Sequence, residues 1–131
     1  MLKKIEEVSQ LSGVSKRTLQ YYDNEGILPA KRSKNNYRLY DEEAMDRLWE
    51  ILWYKEMGFD LSEIKAILTG NNKDRVIENK IRGIDKTIEE LENQRKMIKY
   101  IEKNHIPVMK EYNKTYKEQI KMLREGINYE D

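Results

Sequence analysis

Apolar residues recur at helical spacing at the start of the chain. Ile5, Val8 and Leu11 lie three residues apart, which predicts one apolar face of a short helix. Gly13 is the residue type most tolerant of a positive φ and is placed to end that helix, and Ser15 can cap the next one by accepting a backbone N–H. The pattern predicts a helix, a tight turn and a second helix.

The second helix has two different faces. Leu19 and Tyr22 are three residues apart and are predicted to point into a core together with Val14. The opposite face carries cations, an amide and a phenol, which can contact phosphates and base edges in the major groove of DNA. The residues of this face are Lys16, Arg17, Gln20 and Tyr21.

A polar segment follows and predicts a β-hairpin. Residues 31–36 are polar and cationic, and side chains then alternate in polarity over residues 37–40. Asn36 tolerates the left-handed backbone that a hairpin turn requires. We therefore expect a basic wing after the two helices.

Two more helices are predicted after the wing. Asp41 can cap the first, Gly58 ends it, and a short helix closed by Gly70 follows. We expect Trp49 and Trp53 to pack in the core rather than to form an aromatic cage for cations. The apolar stripe of the first helix is Met45, Leu48, Trp49, Leu52 and Trp53, and that of the second is Leu61, Ile64, Ile67 and Leu68.

From residue 75 the apolar spacing changes to alternating fours and threes. This heptad pattern predicts one long helix, and its seam can be buried only against a partner helix. Arg95 within the seam either sets the register by pairing with an acid of the partner or extends outward to solvent. The seam residues are Ile77, Ile81, Ile84, Ile88, Leu91, Arg95 and Ile98.

The last part of the chain resumes a helical stripe. The long helix is expected to end before Pro107, because the residue that precedes a proline disfavours helical geometry. Tyrosine and methionine on the following helix can cover the dimer or line a pocket for a small organic molecule, and we favour structural cover. The stripe consists of Met109, Tyr112, Tyr116, Ile120, Leu123 and Ile127.

Charge is unevenly distributed, although the net charge of the 131 residues is only +1. Residues 1–40 hold eight Lys/Arg and four Asp/Glu, a net charge of +4, whereas residues 41–70 hold three and eight, a net charge of −5. Positive charge beside a predicted helix-turn-helix is typical of a nucleic-acid interface. A chain this small, with 38% hydrophobic residues, would also gain stability by oligomerising.

Several chemistries are disfavoured by the residue content. The absence of cysteine excludes disulfides and thiol sensing, and His105, the one histidine, is a poor metal site by itself. No apolar run approaches the roughly 20 residues of a membrane span, and no signal-peptide core is present, so we expect a cytoplasmic protein. Because no catalytic set of side chains can be assembled, we expect neither an enzyme nor a cofactor.

Four separated motifs resemble the DNA-binding domain of the MerR family of bacterial transcription regulators. They lie at residues 13–23, 25–29, 36–41 and 58–64, in that order. The resemblance implies a winged helix-turn-helix and an antiparallel coiled coil that joins two protomers. It also implies activation by bending and untwisting an over-long promoter spacer. Gln20 stands where the family usually has arginine, which should change the bases or phosphates that are read.

The predicted architecture is all-α with a small β-hairpin wing. A DNA-binding domain is expected over residues 1–70, a coiled-coil dimerisation helix over residues 71–105, and a C-terminal amphipathic helix over residues 106–131. Lys55 is either a phosphate contact, as the resemblance implies, or a solvated lysine. The predicted DNA-binding residues are Lys16, Arg17, Thr18, Gln20, Tyr21, Arg32, Tyr37, Arg38 and Lys55.

The predicted function is transcription regulation by a homodimer on a pseudo-palindromic promoter site. The expected partners are double-stranded promoter DNA, a second copy of the chain and RNA polymerase, with a small organic molecule as candidate effector. Two other classes stay open. An excisionase-like architectural protein would rarely carry the long seam, and a helical interaction adaptor would not need the basic wing.

Overall fold

The computed structural model describes residues 1–107 and 113–126. It confirms a mostly helical fold with a small antiparallel sheet. Two compact units are present, Met1–Glu78 and Asn79–Asp131. The elements in chain order are β1 (Lys3–Lys4), α1 (Ile5–Ser12), α2 (Lys16–Asn24), β2 (Lys31–Arg32), β3 (Arg38–Tyr40), α3 (Glu42–Glu56), α4 (Leu61–Leu68), α5 (Lys73–Lys103) and α6 (Tyr116–Gly126).

The turn between α1 and α2 has the predicted chemistry. Gly13 has φ 76°, and its N–H donates to the Ser9 carbonyl at 2.9 Å. Ser15 caps α2, since its Oγ accepts from the Thr18 N–H at 3.1 Å. Val8 at the centre of α1 is fully buried, whereas Leu11 is exposed, so the prediction that Leu11 shares the packed face is wrong. The tight turn sets α2 against α1.

The wing is part of a three-stranded sheet with the order β1-β3-β2. β2 pairs antiparallel with β3, and Asn36 in the turn has φ 65°, as the hairpin prediction requires. β1 adds a strand on the other side, with Lys3 opposite Tyr40 and Lys4 opposite Leu39. The sequence did not predict β1, because a two-residue strand has no detectable alternation.

The core of the first unit is buried among α1 to α4, and it corrects the predicted inner face of α3. Leu48 and Ile51 are fully buried, whereas Trp49 is 65% exposed and Trp53 is 53% exposed. Each Trp follows a core position by one or two residues, and one residue turns a helix by about 100°. The core side chains are Val8, Leu19, Tyr22, Ile27, Leu28, Tyr40, Ala44, Leu48, Ile51, Phe59, Ile64 and Ile67.

Helix α3 begins and ends as its sequence predicts. The Asp41 carboxylate accepts from the Ala44 N–H at 2.8 Å, and Gly58 follows the helix with φ 90°. Asp60 then caps α4 in a capping box with Glu63. Ile64 and Ile67 of α4 belong to the same core as Leu48 and Ile51 of α3.

Helix α5 is a single element of 31 residues with no fully buried side chain. Val76 and Ile77 pack against the core of the first unit, whereas the later apolar seam residues are exposed. The helix ends at Lys103, as the proline prediction requires. The exposed seam residues are Ile81, Ile84, Ile88, Leu91, Arg95 and Ile98.

The second unit contains most of α5 together with α6. Tyr116 and Ile120 of the predicted C-terminal stripe are exposed and Leu123 is half-buried. Gln119 is buried, and its side-chain amide donates to the Lys114 carbonyl at 2.9 Å. Three further predicted stripe residues, Met109, Tyr112 and Ile127, lie outside the described residues.

Candidate nucleic-acid interface

The outward face of α2 is exposed as a continuous polar surface. Arg17 and Gln20 are exposed, and Tyr21 is 49% exposed. Leu19 and Tyr22 on the inner side are buried, which fixes the rotation of the helix about its axis. Lys16 is also exposed, with its Nζ 3.8 Å from a Glu6 carboxylate oxygen. The structure confirms that these four polar side chains are exposed on the side of α2 opposite Leu19 and Tyr22.

Thr18 differs from the other predicted contacts on α2. It is half-buried, and its hydroxyl accepts a hydrogen bond from Ser15 Oγ at 2.9 Å. The backbone N–H of Thr18 is the one that Ser15 caps. The Thr18 side chain therefore takes part in starting the helix.

The wing is joined to the end of α2 through one carboxylate. Asp23 Oδ1 accepts from the Ala30 N–H at 3.0 Å, and Oδ2 accepts from Arg32 Nη2 at 2.9 Å and from Arg38 Nε at 2.8 Å. Charge-assisted hydrogen bonds of this kind are about twice as strong as neutral ones. Sequence reasoning missed this role of Asp23, because separations of nine and fifteen residues give no periodic signal.

The electrostatics of Asp23 follow from these contacts. Burial by itself raises the pKa of the carboxyl, but the hydrogen bonds from Ala30 and Arg38 and the charge of Arg32 outweigh it. The pKa of Asp23 is therefore lowered from its ordinary value. The carboxylate is ionised at neutral pH, so it holds both guanidinium groups.

The two wing arginines are not equally open to solvent. The Arg38 side chain is 19% exposed and that of Arg32 is 40% exposed. A guanidinium has five N–H donors, so groups that do not face Asp23 remain for a phosphate. Arg38 also approaches Asn24 Oδ1 with Nη2 at 3.4 Å. Tyr37, next to Arg38 on the wing, is 68% exposed.

Lys55 lies against α2. Its Nζ donates to the Tyr22 phenol oxygen at 3.2 Å and is 6.0 Å from the centre of the Tyr22 ring. The structure therefore brings this lysine of α3 to α2, although the two residues are far apart in sequence.

Arg47 also links α3 to the residues after α2. Its Nε donates to the Ile27 carbonyl at 2.7 Å and holds the loop that follows α2.

Metal-ligand clusters and membrane-spanning helices are not found among the described residues. Within residues 1–107 and 113–126, no three His, Asp or Glu side chains lie close enough to hold a metal ion. No helix in the described part of the chain has the length and hydropathy of a membrane span.

Residues 3–71, just over half of the chain, match the protein-family model described as the MerR HTH family regulatory protein. The chain belongs to the MerR family. The matched region begins in β1 and ends just after α4, so it contains the helix-turn-helix, the wing and the helix pair that follows. The resemblance carried by the four sequence motifs is thereby confirmed.

Relatives of this MerR-family chain include the HTH-type transcriptional activator mta of Bacillus subtilis, which is 46% identical over 72 residues. That match covers 54% of this chain and 28% of mta, so the chain spans little more than a quarter of that relative. The crystal structure of the N-terminus of this B. subtilis multidrug transporter activator has a TM-score of 0.65 and 30% identity. It covers 78% of this chain and 99% of that one.

A second structural neighbour of this MerR-family chain is a complex with DNA. The cryo-EM structure of the EcmrR–DNA complex has a TM-score of 0.65 and 25% identity, and the match covers 79% of this chain and 41% of that one. The two matches cover 78% and 79% of this chain, and the unmatched remainder is smaller than the 31 residues of α5, so both matches include part of that helix.

Proposed function

We propose that this MerR-family protein regulates transcription by binding a pseudo-palindromic promoter site as a homodimer. The observation that carries the proposal is the exposed face of α2, on which Arg17, Gln20 and Tyr21 lie together opposite the buried Leu19 and Tyr22. A helix that presents a cation, an amide and a phenol can enter a major groove and reach both phosphates and base edges.

The wing supplies the second part of the proposed contact. Arg32 and Arg38 are held at its base by Asp23, and Tyr37 is exposed beside them. We propose that these residues and Lys55 contact the DNA backbone on either side of the groove that α2 enters. Phosphate contacts of this kind fix the register on the duplex, so base reading falls to the face of α2.

Dimerisation is supported by the seam of α5. Ile81, Ile84 and Ile88 are exposed along one line of the helix and have the spacing of a coiled coil. Exposed isoleucines at heptad spacing are costly in water and are removed from it by a second helix. A twofold dimer would present two copies of α2 to two half-sites, which matches a pseudo-palindromic site.

We further propose that the dimer acts by distorting the promoter spacer, as the family resemblance implies. Such regulation uses the deformation energy of DNA rather than additional base contacts, so RNA polymerase can occupy the same promoter. The EcmrR–DNA complex is consistent with this proposal, since a related fold is there bound to DNA. RNA polymerase and a small organic effector are the proposed partners besides DNA, and the proposed location is the cytoplasm.

The proposal is tested by run-off transcription from the promoter upstream of the protein's own gene, combined with a footprint. We expect protection between the two promoter hexamers while RNA polymerase stays bound. Protection that displaces RNA polymerase would contradict spacer distortion but not DNA binding. If no promoter DNA is protected at micromolar protein, the proposed function itself is wrong, and an interaction adaptor becomes the better reading.

A further inference from the structure

One uncovered apolar surface lies on the first unit. Trp49 and Trp53 stand one helical turn apart on α3, with ring centroids 6.3 Å apart and ring planes at 73°. Both rings are more than half exposed, and Met57 continues the surface by one further turn. We call these three residues the Trp face. Tryptophan is enriched at protein interfaces relative to the rest of the protein surface, so an exposed pair indicates an interaction site.

Negative charge surrounds the Trp face. Residues 42–56 hold five Asp/Glu and two Lys/Arg. Asp46 and Glu50 are exposed, and the helical periodicity places both within about 100° of the Trp face around the axis of α3. A partner for this face should therefore combine an apolar surface with positive charge.

The second unit carries a surface of that description. A groove of about 350 Å³ lies between the end of α5, the residues that follow it and α6. We call it the tail groove. Within residues 95–107 and 113–124, eight Lys/Arg and two Asp/Glu are exposed, so positive charge predominates on the elements that form the groove. The groove is lined by Met97, Ile98, Ile101, Ile106, Pro107 and Ile120, together with Tyr100.

The seam of α5 leads directly into the tail groove. Ile98 is the last seam residue and also lines the groove. In an antiparallel pair, the first seam residue of one helix lies beside the last residue of the other, so Ile77 would face Ile98 of the partner subunit. Ile77 packs against the core of the first unit. The groove end of the partner's α5 would therefore reach the unit that carries the Trp face.

We infer that the Trp face of one protomer docks into the tail groove of its partner. This inference rests on the proposed homodimer and names a second contact within it, made twice by symmetry. A buried Trp side chain removes roughly 150–250 Å² of surface from water, so burying the exposed parts of Trp49 and Trp53 would add about 200 Å² per protomer. Specific interfaces bury about 800 Å² per partner, so this addition is substantial beside a single helical seam.

The chain offers a direct optical test, because Trp49 and Trp53 are its only two tryptophans. The full-length protein is examined by sedimentation velocity and by Trp fluorescence over the same dilution series. We expect blue-shifted emission that resists acrylamide quenching in the dimer, and a shift to exposed emission as the dimer dissociates. A dimer whose emission stays that of exposed Trp would overturn the docking but not the dimer. A chain that stays monomeric would overturn both.

A cross-linking test identifies the groove. Because the protein has no native cysteine, a Trp53→Cys chain can be mixed with an Ile101→Cys chain and oxidised. We expect a covalent heterodimer, whereas a Leu11→Cys chain mixed with Ile101→Cys should give none, since exposed Leu11 lies on α1. Equal yields from the two mixtures would overturn the inference. The inference would also be overturned if the dimer bound the apolar dye 1-anilinonaphthalene-8-sulfonate in an open groove while its Trp emission stayed that of the monomer.

A substitution test measures the contribution of the contact. The double variant Trp49→Ala/Trp53→Ala should raise the dimer Kd by about 30-fold or more, the range of interface hot spots. Leu11→Ala, which removes another exposed apolar side chain, should leave the Kd unchanged. Both Trp side chains are exposed in the single chain, so the double variant should still fold, which circular dichroism checks. An unchanged Kd in the folded double variant would refute the docking.

Discussion

Arg38 Nε donates to Asp23 Oδ2 at 2.8 Å, and this contact joins the wing to the C-terminal turn of α2. Arg32 donates to the same oxygen at 2.9 Å. Tyr40 anchors the base of the wing in the core, whereas Tyr37 is exposed and Leu39 is half-buried. The Asp23 carboxylate and the two guanidinium groups therefore add a second anchor that fixes the wing to α2.

Asp23→Asn should lower the thermal stability of the first unit at neutral pH. The variant keeps the shape of the side chain but removes the charge that both arginines face, so we expect the Tm to fall by about 5 °C or more. Thermal unfolding followed by circular dichroism measures this change. Asp74→Asn at the exposed start of α5 is a matched control and should leave the Tm nearly unchanged. Equal Tm values for the wild type and Asp23→Asn would contradict the role of this carboxylate.

The same variant should change the response to acid. Because the pKa of Asp23 is lowered in the folded protein, its stabilising effect is complete above the unfolded pKa of about 3.9 and is lost as the pH falls through the folded value. Wild-type stability should therefore decline below about pH 4, and Asp23→Asn should decline less steeply there. Urea unfolding between pH 2.5 and 7 gives both slopes. Parallel slopes would show that other carboxyls carry the acid response.

Gln20→Ala and Arg38→Ala should affect DNA binding in different ways. Gln20 lies on the exposed face of α2, so its removal should alter sequence preference by roughly 1–3 kcal/mol at the base pair it reads. Arg38 belongs to the wing, so its removal should weaken binding to all sequences and reduce the dependence of affinity on salt. Binding titrations on operator and random DNA at several salt concentrations separate the two effects.

A control for charge accompanies this comparison. Lys86→Ala removes one positive charge from α5 and should leave sequence preference unchanged. Because Arg38→Ala also leaves Asp23 with one partner fewer, its Tm must be measured beside its affinity. A folded Arg38→Ala protein with wild-type affinity and wild-type salt dependence would show that the wing does not grip the DNA backbone.

Local signals in the sequence were sufficient to predict most helices and turns of the first unit. The turn at Gly13, the cap at Ser15 and the hairpin turn at Asn36 were predicted because each depends on one residue's backbone or capping preference. The exposed face of α2 followed from helical spacing. The positions of these elements in the chain were thus available before the structure.

Contacts between distant residues were not available from the sequence. Asp23 and Arg38 are fifteen residues apart, and Lys55 and Tyr22 are thirty-three apart, so no spacing rule links either pair. Trp49 and Trp53 were misplaced because their four-residue spacing put both on the predicted apolar stripe, whereas Leu48 and Ile51 fill the inner side of α3. A large apolar side chain that follows a core position by one residue is a signal for an interface as well as for a core.

Tyr40→Phe should leave the first unit as stable as before or slightly more so. The Tyr40 ring is fully buried, and its hydroxyl has no hydrogen-bond partner among the described residues. Removing an unpaired buried hydroxyl ends its desolvation cost, so the free energy of unfolding should stay equal or rise by up to about 1 kcal/mol. Urea unfolding measures the change. A loss of more than about 1 kcal/mol would instead reveal a partner such as a buried water.

Ile88→Glu should impair dimerisation without impairing the folding of the first unit. Ile88 is an exposed seam residue of α5, so a glutamate there costs little in a single chain but would be buried as an unpaired charge in a coiled coil. We expect the dimer Kd to rise by about 100-fold or more, while the circular dichroism of the folded chain changes little. Gln94→Glu introduces the same charge on the same helix outside the seam and should dimerise as the wild type does. Sedimentation equilibrium of the three proteins decides the matter. If Ile88→Glu dimerises with wild-type affinity, the seam is not the contact between protomers, and the two copies of α2 must be held on DNA in some other way.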